Sequence, residues 1–500
     1  MVIRHNVTRS TELLEPVVYS LSDHGKNKVN PPRPFEAIEL GDEDRPLVNH
    51  DLPDLPDISE VEVVRHYTRL SRLNYAIDLG MYPLGSCTMK YNPKISEKVA
   101  AKIGNIHPGD TEAMQTILGL ISILEAYLEE ICGMDACTLW PAAGAHGELT
   151  GMMIIKKAMV ERGEDRREVL IPDTAHGTNP ASCTIAGFKA VKVPSGDKGY
   201  LEASTLRKLI NEDVAALMIT NPNTLGIFEQ DIAEISELLH ENGSYLYMDG
   251  ANMNALMGIA RPGEMGVDCM HLNLHKTFAS PHGGGGPGSG PVLVKDELAP
   301  YLPMPWIVKD EEERFRLLTN APQSIGRIHS GLGNVSVLMK TLSYISSLGG
   351  KGIREAAEVS VLIASYMKKC LKDSYYLPYD TPTLHEFVLT DKYQKERGVT
   401  TMDIAKALMD FGFHPPTVYF PLVVTGAMMI EPTETEPLDE IERFVDAMKQ
   451  IDELSRKDPG VFSSIPRATP VSRVDEVWAA RKLVLTWDMV ESIMGEPPSK

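Results

Sequence analysis

The 500-residue chain has no apolar run approaching the roughly 18 residues that a membrane-spanning helix requires, so helical membrane spans are not expected. Positive charge is in deficit: 49 Lys and Arg stand against 69 Asp and Glu, a formal net charge of −20. A nucleic-acid or anionic-membrane surface needs the opposite balance. The six cysteines (Cys87, Cys132, Cys137, Cys183, Cys269 and Cys370) include no CxxC pair. Neither a zinc ribbon nor a disulfide framework is indicated, and free thiols in a reducing compartment are expected. The opening MVIRHNVTRSTELLEP lacks the apolar core of a secretory signal and the strong Arg/Ser bias of a transit peptide, which makes a cytoplasmic protein the expectation. There is no internal repeat and no low-complexity tract.

What is present is ordinary globular composition, 43% hydrophobic and 24% charged. The length predicts two domains with extensions. Residues 1–95 read as an extended N-terminal arm, because their first part is rich in Pro, Asp and charge without sustained periodicity. Residues 96–350 read as a large domain and 351–500 as a smaller α+β domain with a tail. Within the large domain short β-rich runs (CTLW, EVLIPD, AVKVP, VAALMIT, YLYMDG) alternate with segments of helical spacing such as ELTGMMIIKKAMVERG. That alternation predicts an α/β fold around a mostly parallel sheet covered on both faces. Ligands of such sheets sit beyond the carboxyl ends of the strands, so the residues just after each strand are the candidates.

After CTLW comes PAAGAHGELTG, a glycine turn feeding a helix, where Gly144 and Ala145 offer free N–H groups suited to a phosphate. His176 opens the loop after EVLIPD; a hydrogen-bonded structural histidine is the bland alternative. Asn223 follows VAALMIT and is placed to meet a phenolic or carbonyl oxygen, unless it only makes an Asn-Pro turn. Asp249 ends YLYM, where burial is costly without a positive partner, although Asp also caps helices. Lys276 closes CMHLNLHK; desolvation at a strand end would make its amine a better nucleophile, and a surface lysine is the plain alternative. Taken singly each signal is weak. In order, they are the set that pyridoxal 5′-phosphate requires: an amine to hold it, an acid for its ring nitrogen, a flat face from His176, a donor for its ring oxygen and an anion site for its phosphate. Ala251, two residues past the aspartate, can pack on the second ring face.

Several long stretches carry a resemblance as well. MYPLGSCTMKYNPK, TNPNTLGIFE, YMDGANMNA, NLHKTFASPHGGGGPGSGP, FHPPTVYFPLVV and MIEPTETE resemble the glycine decarboxylases (P-proteins) of the glycine cleavage system, in the catalytic second subunit of their two-subunit form. The resemblance implies a fold type I, aspartate-aminotransferase-like architecture with Lys276 as the pyridoxal lysine. It implies an oxidoreductase that decarboxylates glycine and passes the aminomethyl group to the lipoyl arm of the H-protein. A sister subunit 1 in an α2β2 assembly follows from it. So do roles for Ser86 and Thr88 toward the substrate carboxylate, and for His275 on the phosphate side or in orienting the lysine. Gly109 and Thr425 depart from the family pattern.

The glycines of PHGGGGPGSGP, Gly284 and Gly285 among them, are read as shaping a channel for the lipoyl arm, with a tight structural turn as the alternative. No metal is expected: His107, His146, His282 and His385 fit no ligand spacing. The rival readings are another pyridoxal enzyme of the same fold, such as an amino-acid decarboxylase or desulfurase, and a non-catalytic assembly subunit. The first, in its desulfurase version, needs a cysteine in a mobile loop; the second would be favoured by loss of Lys276 or Asp249, and both are present.

Overall fold

The computed structural model describes residues 15–21, 56, 58–104, 106–107, 110–284, 288–486 and 488–489. Most of the N-terminal arm, Gly109 and Gly285 lie outside the described residues. Two compact units are distinguished by their contacts, one made of Met1–Ala76 with Ser464–Lys500 and one of Ile77–Ser463. The first contains helix α1 (Glu60–Ser71), started by a capping box in which Ser59 and Glu62 satisfy each other's backbone N–H, and a short helix at 476–481.

The second unit holds every candidate site residue. Helices α2 (Lys94–Ile103) and α3 (Thr111–Cys132) precede its main sheet. Asp110 caps α3 and Gly133 ends it in the left-handed conformation (φ 66°). The sheet strands are β1 (Ala136–Thr138), β2 (Glu168–Pro172), β3 (Lys189–Val193), β4 (Val214–Thr220), β5 (Tyr245–Gly250), β6 (Cys269–Leu272) and β7 (Val292–Val294). Helices α4 (Gly144–Glu161), α5 (Thr178–Ile185), α6 (Ala203–Leu209) and α7 (Ile232–Glu241) connect them. The order is β1-β7-β6-β5-β4-β2-β3. β2 to β6 run parallel, and β7 lies antiparallel to both β6 and β1.

Burial alternates along the central strands as a two-faced sheet demands. Leu217, Ile219, Leu246, Met248, Met270 and Leu272 join one core cluster. Ala216, Met218, Tyr245, Tyr247 and Cys269 join another, which includes Met152, Ile155 and Met159 of α4. Tyr247 and Asp249 of β5 therefore face the α4 side, as does His271, which pairs with Asp249 across the ladder.

A hairpin, β8 (Trp306–Lys309) and β9 (Phe315–Leu318), follows the sheet. Helix α8 (Val335–Leu371) comes next and is broken at Gly349 (φ 61°, ψ 179°). Last in the unit are α9 (Lys392–Lys395), α10 (Thr401–Asp410), α11 (Leu438–Lys457) and a three-stranded antiparallel sheet. That sheet runs β10 (Phe387–Thr390), β12 (Ala427–Ile430), β11 (Thr417–Val418) in spatial order.

Candidate cofactor site

Asp249 ends β5 with its side chain buried. Its Oδ1 accepts the Ala251 N–H at 3.0 Å and lies 3.4 Å from His271 Nε2. Its Oδ2 is buried without any partner. Burial pushes this carboxyl up, but His271, His176, the Ala251 N–H and Lys276 together outweigh it and hold Asp249 below the ordinary carboxylate range. An ionised oxygen aimed at nothing is the acceptor that a protonated pyridine nitrogen needs.

Behind the aspartate stands a second layer that sequence reasoning did not single out. Tyr247 is fully buried, which pushes its phenol well above the ordinary value and keeps its proton in place. Tyr247 OH lies 2.7 Å from His271 Nδ1. Glu148 of α4 completes the group: its carboxylate, with Asp249 and His271, has ligand-type atoms within 4.8 Å of one another. Thr178 Oγ1 and Ser182 Oγ donate to it at 3.0 and 3.1 Å. Burial pushes Glu148 up, and the charge of Asp249 adds to that against the pull of His271. The i, i+2 spacing of Tyr247 and Asp249 was the available signal, since period 2 places both on one face.

Helix α4 reaches the site because it is faced with glycine. A Cβ on Gly151 would lie 2.4 Å from Tyr247, one on Gly147 would lie 2.6 Å from the Gly290 carbonyl, and one on Gly144 would lie 2.3 Å from Asn273 Oδ1. No side chain caps its N-terminus and no acid stands in its first turn. Gly144 and Ala145 thus sit in the first turn of an 18-residue helix whose positive end is free of acid. The helix begins at Gly144, earlier than the ELTG start expected from periodicity, because these glycines serve close approach to the sheet.

Lys276 follows β6, with its backbone N–H on the Asn273 carbonyl at 3.0 Å. The next residue, Thr277, accepts the Met253 N–H at 2.8 Å, which ties the lysine turn to the loop after Asp249. His176 stacks on Phe420 (centroids 5.2 Å apart, planes 16° apart) and its Nε2 meets Ser86 Oγ at 2.5 Å. Burial, Lys276 and His271 lower its pKa against the pull of Asp249, so the ring is neutral. Burial first, then His282 and Lys276, pushes His275 down to about 3. Its Nδ1 accepts the Ser289 N–H at 3.4 Å, and a Cβ on Gly288 would stand a tight 3.2 Å from that nitrogen.

Three of the expected residues have their polar groups or surroundings committed elsewhere in the fold. Both amide hydrogens of Asn223 are spent inside its own loop region, on the Gly199 carbonyl and Glu229 Oε1, each at 2.8 Å. Its Oδ1 accepts from Leu225 and Ile227, so nothing remains for a ring oxygen. The free amide at this strand end is Asn221 Nδ2, buried without a partner directly after β4. Thr88 does not offer its hydroxyl hydrogen to a substrate carboxylate, because it donates to Glu431 Oε1 at 2.5 Å. Gly284 is exposed with φ 59°, and a Cβ there would meet open space, so no packing forces glycine at that position. The positions that packing does restrict are Gly288 and Gly290, the latter with the Ala143 carbonyl 2.0 Å from an added Cβ.

His107, His146, His282 and His385 fitted no ligand spacing in the sequence. Among the described residues no cluster of metal-type ligands holds more than one of them; His385 alone joins one, with Glu386 and Glu431. The Cys87 thiol is held above its ordinary value, chiefly because its surroundings shield it from water although part of the residue reaches the surface, with the Glu431 charge adding to this against Lys276. A cysteine kept as thiol is poorly suited to desulfurase chemistry. Among the described residues no helix is long and apolar enough to cross a membrane.

The sheet order, with its single reversed strand next to the strand that precedes Lys276, is that of a fold type I pyridoxal-phosphate enzyme. Matches to known proteins agree. Residues 147–306 match the family described as Aminotransferase class-V, and residues 356–461 match "Glycine dehydrogenase, C-terminal domain". A crystal structure of a glycine decarboxylase (P-protein) superposes with a TM-score of 0.68 at 22% identity, covering 81% of this chain and 92% of that one. A Lactobacillus brevis glutamate decarboxylase gives 0.63 at 16%, covering 83% and 97%. The Pyrococcus horikoshii protein named "Probable glycine dehydrogenase (decarboxylating) subunit 2" is 49% identical over 96% of this chain and 97% of its own length. Its Kosmotoga olearia namesake is 51% identical over 94% and 96%. The chain belongs to this glycine dehydrogenase (decarboxylating) subunit 2 family.

Proposed function

We propose that this chain is the pyridoxal-phosphate-bearing subunit of a glycine cleavage system. It decarboxylates glycine and passes the aminomethyl group to the lipoyl arm of an H-protein, working in the cytoplasm with a sister subunit 1, two copies of each. The observation that carries the reading is the free, ionised Asp249 Oδ2 on the strand beside the one that leads to Lys276. Family membership at about half identity over nearly the whole length supports the substrate.

Bound pyridoxal phosphate supplies an electron sink for the pair left when carbon dioxide departs. Lys276 would offer the amine that holds the cofactor. Asp249 keeps a proton on the ring nitrogen, and the Tyr247–His271 pair keeps Asp249 oriented. Asn221, in place of Asn223, donates to the ring oxygen. His176 gives one flat face to the ring while Phe420 backs the other face of the imidazole. The first turn of α4 takes the phosphate, with Asn273 against Gly144. Ala251, held by the Asp249 hydrogen bond, supports the second ring face. The glycines after His282 leave a slim path for the lipoyl arm.

The test is exchange of labelled carbon dioxide into the glycine carboxyl, with chain, sister subunit and lipoylated carrier present. Exchange is expected only with all three and is lost in Lys276→Ala. If exchange is absent while pyridoxal phosphate is bound, the substrate is another amino acid.

A further inference from the structure

A second buried acidic group, besides Asp249, feels the charge of Lys276. Phe387 of β10 and Ile430 of β12 are cross-strand partners. Glu386 and Glu431, the next residue outward on each strand, therefore emerge side by side. They are only 3% and 0% exposed, and with His385 their ligand-type atoms lie within 4.8 Å of one another. Two carboxylates so placed repel each other when both are ionised, which favours one proton held between them.

The hydrogen bonds divide the pair into unequal halves. Three donors converge on Glu431 Oε1, from Thr88 Oγ1 at 2.5 Å, Asn252 Nδ2 at 2.7 Å and Asn254 Nδ2 at 2.9 Å. That is the cradle of an anion. Glu386 receives only the Ser86 N–H, at 2.7 Å on Oε2. Glu431 Oε2 has no hydrogen-bond partner, and neither ring nitrogen of His385 has one, although His385 Nε2 stands 3.8 Å from Glu386 Oε1. A hydrogen on Glu386 shared toward Glu431 Oε2 would fill that vacancy. In agreement, burial pushes Glu386 well above the carboxylate range, and the Glu431 charge adds to it against Ser86 and Lys276.

The pair also belongs to the reacting region. Ser86, which donates to Glu386, meets His176 through its hydroxyl. Asn252 and Asn254 flank Met253, whose N–H binds the residue after Lys276. The Cys87 thiol stands between Ser86 and Thr88 and feels the charges of Lys276, Glu431 and Glu386.

We propose that Glu386 and Glu431 share one proton and deliver it to the sulfur released when the lipoyl disulfide opens. This rests on the glycine-to-lipoyl reading above. When the bond from the glycine methylene carbon to its carboxyl breaks, the electron pair left behind forms a carbon–sulfur bond. The disulfide is the oxidant: its sulfur–sulfur bond breaks, and the second sulfur departs with that pair as thiolate. The proton from the carboxyl pair converts it to a thiol, leaving both carboxylates charged until water reprotonates one. The titratable groups facing the pair are Lys276, Lys90, His385, His282 and Cys87.

The experiment uses pyridoxal-phosphate-loaded chain with its sister subunit, in wild-type, Glu386→Gln and Glu431→Gln forms. The first readout is the change in cofactor absorbance on adding glycine. The second is single-turnover transfer to lipoylated carrier across pH. Glu386→Gln should keep the glycine response, transfer on the order of 10²-fold more slowly and lose the decline of rate at high pH. Glu431→Gln should move that decline to lower pH, because the repelling charge is gone. An unchanged rate and pH profile in Glu386→Gln overturns the proposal. So does stoichiometric binding of Zn²⁺ or Mn²⁺ that Glu386→Gln abolishes, since the cluster would then be a cation site. Absence of any glycine response in the wild type overturns the underlying reading instead.

Discussion

Two asparagines two positions apart divide the labour at the end of β4. Asn223 holds its loop together through four hydrogen bonds, to Gly199, Glu229, Leu225 and Ile227. Asn221 makes one, its Oδ1 accepting the Glu229 N–H at 3.1 Å, and keeps its buried Nδ2 unpaired. The two alanine variants should therefore fail differently. Asn223→Ala leaves buried partners unsatisfied and should cost about 3 kcal/mol of stability, read by urea denaturation of the cofactor-free chain. Asn221→Ala removes one acceptor, that of the buried Glu229 N–H, and should cost about 1 kcal/mol of stability while weakening pyridoxal phosphate binding by roughly tenfold, the loss of one good hydrogen bond. If Asn223→Ala weakens the cofactor while remaining stable, the assignment is reversed. Sequence alone could not choose between them, because NPNTLG offers two amides and only the folded loop shows which is consumed. Asp249 and Lys276 were legible for a firmer reason. Asp249 is the last residue but one of β5 and Lys276 stands shortly after β6, and the carboxyl ends of a parallel sheet are where such residues meet a ligand.

Helix α4 illustrates what the element adds to the residue. Gly144, Gly147 and Gly151 lie one turn apart on one face, and each replaces a side chain that would strike β5, β6 or the segment before β7. Their loss of helix propensity is exchanged for a close approach that brings the acid-free N-terminus to the strand ends. Gly147→Ala should therefore destabilise the fold by about 2 kcal/mol through overpacking and weaken phosphate-dependent cofactor binding. Gly284→Ala has open space and should cost about 1 kcal/mol for its left-handed backbone. Thermal melts of the two apo variants, each then titrated with pyridoxal phosphate, separate the cases. Should Gly284→Ala retain binding and lose transfer to the lipoyl carrier, the channel reading of the loop gains its support; normal transfer removes it. Periodicity made α3, α7 and the strands β2 to β5 readable. It missed β7, three residues following a glycine run, whose place is set by pairing with β6 and β1. It also missed Glu386 and Glu431, which stand more than a hundred residues after Lys276 and come together only through the β10–β12 ladder.

At the scale of the whole chain, buried acids and buried histidines set opposing slopes of stability against pH. Burial pushes Glu125 of α3 up to about 8, with the neighbouring Glu129 charge adding to it. Glu125, Glu129 and Asp135 share the wall of a cavity of about 670 Å³ that reaches Trp140 and Trp306. Glu229 and Glu436, also raised mainly by burial, stand at about 7. A carboxyl raised above its unfolded value of 4.5 binds its proton more tightly when folded. Its contribution is complete below 4.5 and is lost as pH rises through the folded value. The histidines act the other way: His176, His275, His282 and His385 are all lowered from 6.5, chiefly by burial, so their contribution is complete above 6.5 and is lost as pH falls. Below 6.5 the two trends oppose each other. Between 6.5 and about 8 the histidines no longer contribute a slope, and Glu125 continues to lose proton-bound stability across that whole interval. Unfolding free energy should fall there by about 1.4 kcal/mol per pH unit for this one group. Urea denaturation of the apo chain at several pH values in the interval measures the slope directly. Glu125→Gln keeps the volume and removes the proton, so it should flatten the curve and make the variant more stable than wild type at the alkaline end. A curve equally steep in Glu125→Gln would mean that Glu125 is solvated in the folded chain and that the cavity beside Trp140 is open to water.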